Sequence, residues 1–368
     1  MAHDDVMSEI GEVRLALDLP KLQAFAATHL PQLRGAELRA KQFSTGTSNP
    51  TYLVWSASDE RERFVLRRKP GGKLLPGAHQ IDREYQVMKA LGAYSVPVPR
   101  MIAYCDDAGV IGAPFYLMEC VAGRVLTDNG ASLAPAERHE LWDSINLGMV
   151  AMHSVDFRAA GLTDYGKVGN YAERQVRTWG KQYDAADRIV APELKRPELT
   201  QSMHKLRDYL LVGMAVLQPE PTCVVHGDLG LHNMLIHPTA PRVAAFLDWE
   251  ISTLGHPLID LDYVSSVLPG GWRSDTSFPG DGAPTQGEFM DAYCKRRGWP
   301  AVPQAAADFA ALVNMFRSCA IVHGVLARGL SGNAASGTTR NEIMQEMYIG
   351  VLRKAMKVLA RVERSSKL

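Results

Sequence analysis

The segment between residues 223 and 250 constrains this chain most. "CVVHGDLGLHNMLIH" and "RVAAFLDWE" each set a short apolar run beside a polar tip, with Asp228 and Asn233 on the first tip and Asp248 at the end of the second run. Runs this short, rich in Val, Ile and Leu and bounded by Gly, Asn and Asp, read as strands rather than helices. A strand–loop–strand unit would bring the three polar residues to one edge. Aspartate and asparagine supply hard oxygen ligands, which suit Mg²⁺ better than Zn²⁺. A further carboxylate able to accept a proton would complete a phosphoryl-transfer site. Taken singly, Asp228 and Asn233 favour an Asx turn joining two strands.

The elements around this unit define the fold class. "LDLPKLQAFAATHLP" (17–31) predicts a helix capped by Asp18, with Pro20 in its first turn and Pro31 after its end. "AELRAKQF", "TYLVWSAS" and "RFVLRRK" follow as strands separated by "STGTSNP" and "DERE". "AHQIDREYQVMKAL" then places Ile81, Tyr85, Met88 and Leu91 on one helical face, and "PRMIAYCDD" and "APFYLMECV" are two more strands. After "AGR" (122–124), which reads as a linker, the chain is mostly helical apart from 222–250. The order is α+β. It predicts two lobes: 1–120, an antiparallel five-stranded sheet with one long helix, and 121–368, mainly helical. At 368 residues the chain is too long for one simple core. "GGWRSDTSFPGDGAPTQ" (270–286) reads as a surface loop.

Charge and cysteine content exclude several function classes. Forty basic and forty acidic residues cancel, and no basic run reaches the roughly five or six residues of a nucleic-acid-binding tail. The start is acidic and lacks the apolar stretch of a signal peptide, and no apolar run reaches the roughly 18 residues of a membrane span. Five cysteines, none in CxxC spacing, predict free thiols in a reducing cytoplasm. Neither a nucleic-acid nor a membrane partner is therefore expected. Oligomeric state is not legible.

"HGDLGLHN" followed by "FLDWE" resembles the catalytic and metal-binding segments of the aminoglycoside phosphotransferase/choline kinase-like family, small-molecule relatives of protein kinases that carry H-G-D-x-x-x-x-N and then I/L-D-W/F-E/D. "LDWEISTLGHPLIDLDYV" and "VLRRKPGGKLLPGAHQIDREYQVMKAL" are similar to the kinase-like domain fused to some acyl-CoA dehydrogenases and to its stand-alone bacterial relatives. The resemblance covers nearly the whole chain. It implies a two-lobed protein-kinase-like fold and an ATP- and Mg²⁺-dependent phosphotransferase acting on a hydroxyl group of a small molecule.

The resemblance also implies roles. Asp228 would be the base, Asn233 and Asp248 the metal ligands, and His226 a prop for the loop; Asp260 would brace it. Ser44, Thr45, Gly46, Thr47, Ser48 and Asn49 would cover the phosphates, although the loop lacks GxGxxG. In "FVLRRKP" the position of the phosphate-binding lysine is taken by Arg67, paired with Glu84 on the next helix. Lys69 shares its face by period-two alternation, but Arg67 sits deeper in the apolar part of the strand. The Glu119 carbonyl and the Val121 N–H would read the adenine. Trp179, Tyr183 and Arg317 are candidates for acceptor contacts. His232 and His237 are expected to be ordinary loop residues.

Two rival readings stand beside the kinase: a non-catalytic nucleotide-binding protein of the same fold, and a protein kinase. The second lacks GxGxxG, DFG and an APE-type activation segment, so no platform for a polypeptide is legible. The acceptor is not legible either. No acidic run suits an aminoglycoside and no aromatic cage suits choline. The acyl-CoA dehydrogenase association points by analogy to a hydroxyacyl-CoA or hydroxy acid.

Overall fold

A computed structural model describes residues 10, 11, 13, 16–43, 49–70, 80–274, 281–331 and 338–365. In chain order the elements are β1 (Ile10–Gly11), α1 (Leu19–His29), β2 (Leu38–Phe43), β3 (Thr51–Ser56), β4 (Arg63–Arg68), α2 (Ile81–Leu91), β5 (Met101–Cys105), α3 (Ala108–Ile111), β6 (Phe115–Glu119) and α4 (Pro135–Ser154). There follow α5 (Tyr171–Leu194), α6 (Pro197–Val212), β7 (Cys223–Val225), β8 (Met234–Ile236), β9 (Val243–Phe246), β10 (Thr253–Gly255), α7 (Pro257–Ser265), α8 (Gln286–Arg297), α9 (Gln304–Leu330) and α10 (Thr338–Ser365).

The chain forms two compact units. One holds residues 1–165, 226–253 and 281–283; the other holds 166–225, 254–280 and 284–368. The first unit contains the expected five antiparallel strands, with β1 added at the edge, in the order β1-β2-β3-β4-β6-β5. Period-two alternation divides the sheet's two faces. Leu38, Tyr52, Val54, Phe64, Leu66, Phe115 and Leu117 form one buried cluster with Leu22 and Ala26 of α1. Val65 and Arg67 leave the other face, which α2 covers with Val87, Met88 and Leu91 buried. Asp18 caps α1 through its side chain, accepting from the Lys21 N–H at 3.1 Å.

The compact units divide at Tyr165, beyond the lobe boundary expected at 120, and there is a local reason for this. "AGR" does not behave as a linker. Arg124 and Ile236 exchange both backbone hydrogen bonds at 2.8 Å, and a Cβ on Gly123 would lie 2.9 Å from that of Leu235. The glycine thus allows the chain to seal against β8. Helix α4 packs on β9, where Ser144 accepts from the Val243 N–H at 3.0 Å and Phe246 abuts Gly148.

The second unit is helical around α9. This helix is apolar and long enough to cross a membrane by length and composition, although polar and charged residues interrupt it. Two thirds of that stretch is buried, and α5, α7 and α10 pack around the helix. Its apolarity therefore has a structural explanation in the helix bundle. All five cysteines are free thiols, as expected.

Candidate active site

Strand β8 pairs with β9 in a register that sets Met234 opposite Phe246. One step beyond, the Leu247 N–H donates to the Asn233 carbonyl at 2.8 Å, so Asn233 and Asp248 emerge side by side. This is the convergence that the two sequence tips predict. Gly227, with φ +83°, turns the chain into the loop at a point where a Cβ would lie 3.1 Å from the Ile251 carbonyl. Asp248 itself has φ +62°. An aspartate held in the left-handed region costs of order 1 kcal/mol, which the surrounding bonds must offset.

The loop is fixed from within. The His226 ring lies 4.6 Å from the Trp249 ring. Its Nδ1 accepts from the Asp228 N–H at 3.3 Å, so Nε2 is the donor to the Leu247 carbonyl at 2.8 Å. The imidazole thus ties the loop that carries Asp228 to the residue that follows β9. Asn233 donates its Nδ2 to the Asp228 carbonyl at 2.9 Å and lies 3.4 Å from the Asp228 Oδ2. That use of the amide nitrogen leaves the Asn233 Oδ1 as the atom of this side chain that could hold a metal ion. The Asp228 side chain is 34% exposed, open to a substrate. His232, expected to be an ordinary loop residue, comes within 3.6 Å of the Asp228 Oδ2. A Cβ on Gly230 would lie 2.4 Å from its ring, so glycine makes room for it there. The four-residue spacing between Asp228 and His232 was the available signal.

Arg67 gathers the acidic groups of this unit. Its Nε is 3.2 Å from the Glu84 Oε2, and its Nη2 is 3.0 Å from the Asp248 Oδ1 and 3.9 Å from the Glu250 Oε2. The Nε–H is buried and makes no hydrogen bond among the described residues, so its contact with Glu84 is an ion pair rather than a hydrogen bond. Burial acts to lower the Arg67 pKa, but Tyr116, Glu84 and Asp248 together raise it, so the guanidinium stays charged. Lys69 lies beyond the end of β4, with its N–H bonded to the Pro114 carbonyl.

Glu84 is fully buried, against the usual exposure of a charge on an amphipathic helix. Its Oε1 accepts from the Asn49 Nδ2 and its Oε2 from the Tyr116 hydroxyl, both at 3.0 Å. Tyr116 was not legible as a site residue, because only the β4–β6 register sets it opposite Arg67. Asn49 spends its side chain on Glu84. The other residues of the expected phosphate loop, Ser44, Thr45, Gly46, Thr47 and Ser48, lie outside the described residues.

Burial raises the Glu84 pKa from 4.5 to about 7 despite Arg67. A folded pKa above the unfolded one means that the native state binds the proton more tightly. The contribution is complete below about pH 4.5 and is lost as pH rises through 7. The stability of the wild type should therefore fall relative to Glu84→Gln between pH 5 and 8, by at most about 1.4 kcal/mol per pH unit. Urea unfolding of both proteins across that range measures it; a constant difference between them would refute the shift.

At the expected hinge, Glu119 ends β6, with its N–H on the Arg100 carbonyl at 2.9 Å. Val121 follows outside any strand, and its N–H makes no hydrogen bond among the described residues. In the second unit Asp260 is buried in the first turn of α7. Arg317 stacks over Trp179 and Tyr263, at 5.8 and 5.4 Å.

Tyr183 departs from its expected role as an acceptor contact. It is 1% exposed and stacked on His323, with its hydroxyl bonded to Tyr348 at 3.0 Å and to Asp187 at 3.2 Å. Helical spacing put its ring into the core of the second unit.

Comparison with known proteins agrees with this geometry. A model of the phosphotransferase enzyme family matches residues 39–307. The chain is 38% identical over 330 residues to acyl-CoA dehydrogenase family member 11 of Rattus norvegicus, covering 87% of this chain and 40% of that protein. It therefore spans only about two fifths of that relative. A Ralstonia eutropha protein, named as a candidate aminoglycoside phosphotransferase, has a crystal structure that superposes with a TM-score of 0.75 at 35% identity, over 93% of this chain and 99% of that one. Choline kinase from Cryptosporidium parvum (TM-score 0.64, 14% identity, 94% and 97% covered) shares the kinase-like fold. So does aminoglycoside 2'-phosphotransferase-IIIa, solved with GDP (0.57, 15%, 91% and 99%). With the family match spanning most of the chain, this protein belongs to the phosphotransferase enzyme family.

Proposed function

We propose that the protein is an ATP- and Mg²⁺-dependent kinase that phosphorylates a hydroxyl group of a small molecule. The observation that carries the reading is the junction of the base loop with the metal strand: Asp228 and Asn233 on one loop, and Asp248 held beside Asn233 through the Leu247–Asn233 bond. The donor set fits the metal. The Asn233 Oδ1 and the Asp248 carboxylate are hard oxygens. Among the described residues no cluster of three or more His, Cys, Asp or Glu could hold a metal by itself. Mg²⁺ suits such a sparse site, because it keeps several waters and is completed by substrate phosphates. Bound there, Mg²⁺–ATP would supply the phosphoryl group and the neutralisation of its charge.

The chain's own groups have the remaining roles. Asp228 orients the acceptor hydroxyl and takes its proton as the oxygen attacks phosphorus. Arg67 offers its fork to the nucleotide phosphates, and Glu84, locked by Asn49 and Tyr116, holds that fork in place. Glu119 and Val121 offer the backbone carbonyl and N–H for the adenine. Trp179 and Arg317 are the remaining candidates for acceptor contact, and Asp260 for support.

The acceptor class we favour is a hydroxyacyl-CoA or hydroxy acid, on the 38% identity to a protein named for acyl-CoA chemistry. Incubation with ATP, Mg²⁺ and a panel of hydroxyacyl-CoAs, hydroxy acids, choline and aminoglycosides, followed by ADP release and product mass, tests both levels. ADP formed only with the acyl or hydroxy-acid members supports the acceptor class. Turnover with choline or an aminoglycoside alone would replace that class, and no turnover with any member would favour a non-catalytic nucleotide-binding protein.

Asp248→Asn is expected to weaken use of Mg²⁺–ATP while leaving adenosine binding intact. The apparent Mg²⁺ requirement should rise by about tenfold or more, the size of one lost charge-assisted contact. Titration of Mg²⁺ at fixed ATP measures it; an unchanged requirement would transfer the ligand role to Glu250.

A further inference from the structure

Asp262 is a carboxylate that the proposed reaction does not use. It follows Asp260 by two positions on α7, and at about 100° per residue the two side chains leave the helix on opposite sides. Asp262 is 1% exposed. Its Oδ2 accepts from the Asn314 Nδ2 at 2.8 Å and the Trp272 Nε1 at 3.1 Å, and its Oδ1 from the Gln286 Nε2 at 3.1 Å. All three donors are neutral, and no cation forms an ion pair with it among the described residues. A carboxylate oxygen has room for about two donors, so the Oδ1 retains capacity. Burial raises the pKa of this group to about 6.

The carboxylate lines a cavity of about 400 Å³ that lies wholly within the second unit, among α7, α8, α9 and α10. That volume suits a small metabolite. Another part of the wall is basic. Lys354, Lys357 and Arg361 stand at i, i+3 and i+7 on α10, hence on one face. Arg361 is bound to Asp308 at 2.6 Å and Lys354 to the Trp272 carbonyl at 2.9 Å, whereas Lys357 has no partner among the described residues. Ala307 and Ala311, one turn apart on α9, add small side chains that leave the space open.

Three neutral hydrogen bonds and the more distant charge of Arg273 meet part of the cost of burying this carboxylate, and an apolar guest in the cavity would leave the rest unmet. A hydroxyl donor meets it, and the lysines favour an anion. We propose that this cavity is a second ligand site, for a small hydroxylated molecule that presents a hydroxyl to Asp262 and a phosphate or carboxylate to Lys357 and Lys354. The proposal stands apart from the kinase reading, since it uses none of the groups assigned to the reaction.

Isothermal titration of the full chain with glycerol 3-phosphate, glycerate, inorganic phosphate and glycerol tests it. Saturable binding of glycerol 3-phosphate or glycerate is expected, and the tighter of the two identifies the anion. The preferred compound should exceed both glycerol and inorganic phosphate by about tenfold, the worth of one hydrogen bond to a charged group. Lys357→Glu, at an exposed side chain without a partner among the described residues, should weaken it by about the same factor. Ala307→Leu, which fills the cavity without altering charge, should also weaken it, with melting curves confirming that both variants fold. Absence of saturable binding by both anionic polyols, phosphate binding as strong as glycerol 3-phosphate binding, or binding that neither substitution affects would each overturn the proposal.

Discussion

Asp228→Ala is expected to abolish turnover while leaving nucleotide affinity nearly unchanged. The side chain is partly open, and the Asn233 and His226 contacts fix the loop around it. Removing a general base costs about 10²–10⁴ in rate. His232, 3.6 Å from the same oxygen, stays in place in this variant and provides a control. If the imidazole were the base, His232→Gln would lose turnover and Asp228→Ala would retain much of it. Steady-state kinetics of the two variants, beside nucleotide affinity from calorimetry, separate these outcomes. Near-normal phosphorylation by Asp228→Ala would sink the assignment.

The second large effect is expected at Arg67. Arg67→Ala removes the fork that joins Glu84 and Asp248, and should raise the KM for ATP and lower kcat together. Their ratio should fall by about 10- to 100-fold, the size of one or two charge-assisted hydrogen bonds. Lys69→Ala, beyond the end of β4, should do little. The fold should survive, because Glu84 already titrates near pH 7 and can take up a proton once the cation is gone. The Arg67→Lys variant tests whether geometry or charge matters. A point charge cannot reach two carboxylates as a planar fork does, so only partial rescue is expected. Greater loss in Lys69→Ala than in Arg67→Ala would transfer the phosphate contact to Lys69.

Much of this site was legible because its logic is local. The period of two in "FVLRRKP" put Arg67 and Lys69 on one face of their strand, and the resemblance, not the spacing, singled out Arg67 and Glu84. The tips of two short apolar runs put Asp228 and Asn233 near Asp248. Periodicity placed each residue within its own element, while the motif of the resembling family supplied the partners and roles.

Other features depended on pairings between distant residues. Tyr116 joins Glu84 only through the β4–β6 register, and "AGR" became part of the first unit only because Gly123 admits β8. Tyr183 had the spacing of a helix face, but nothing in that spacing states which neighbours close over it. His323 and Tyr348, more than a hundred residues away, bury it. Asp262 illustrates the same division. The sequence shows an acidic residue two places after Asp260, but not which face or which surroundings it would take. Only the tertiary structure decided that Asn314, Trp272 and Gln286 would surround it and that a basic face of α10 would share its cavity. Side-chain direction along one element is set by local backbone geometry, whereas burial, pKa and partnership are set by what packs against it.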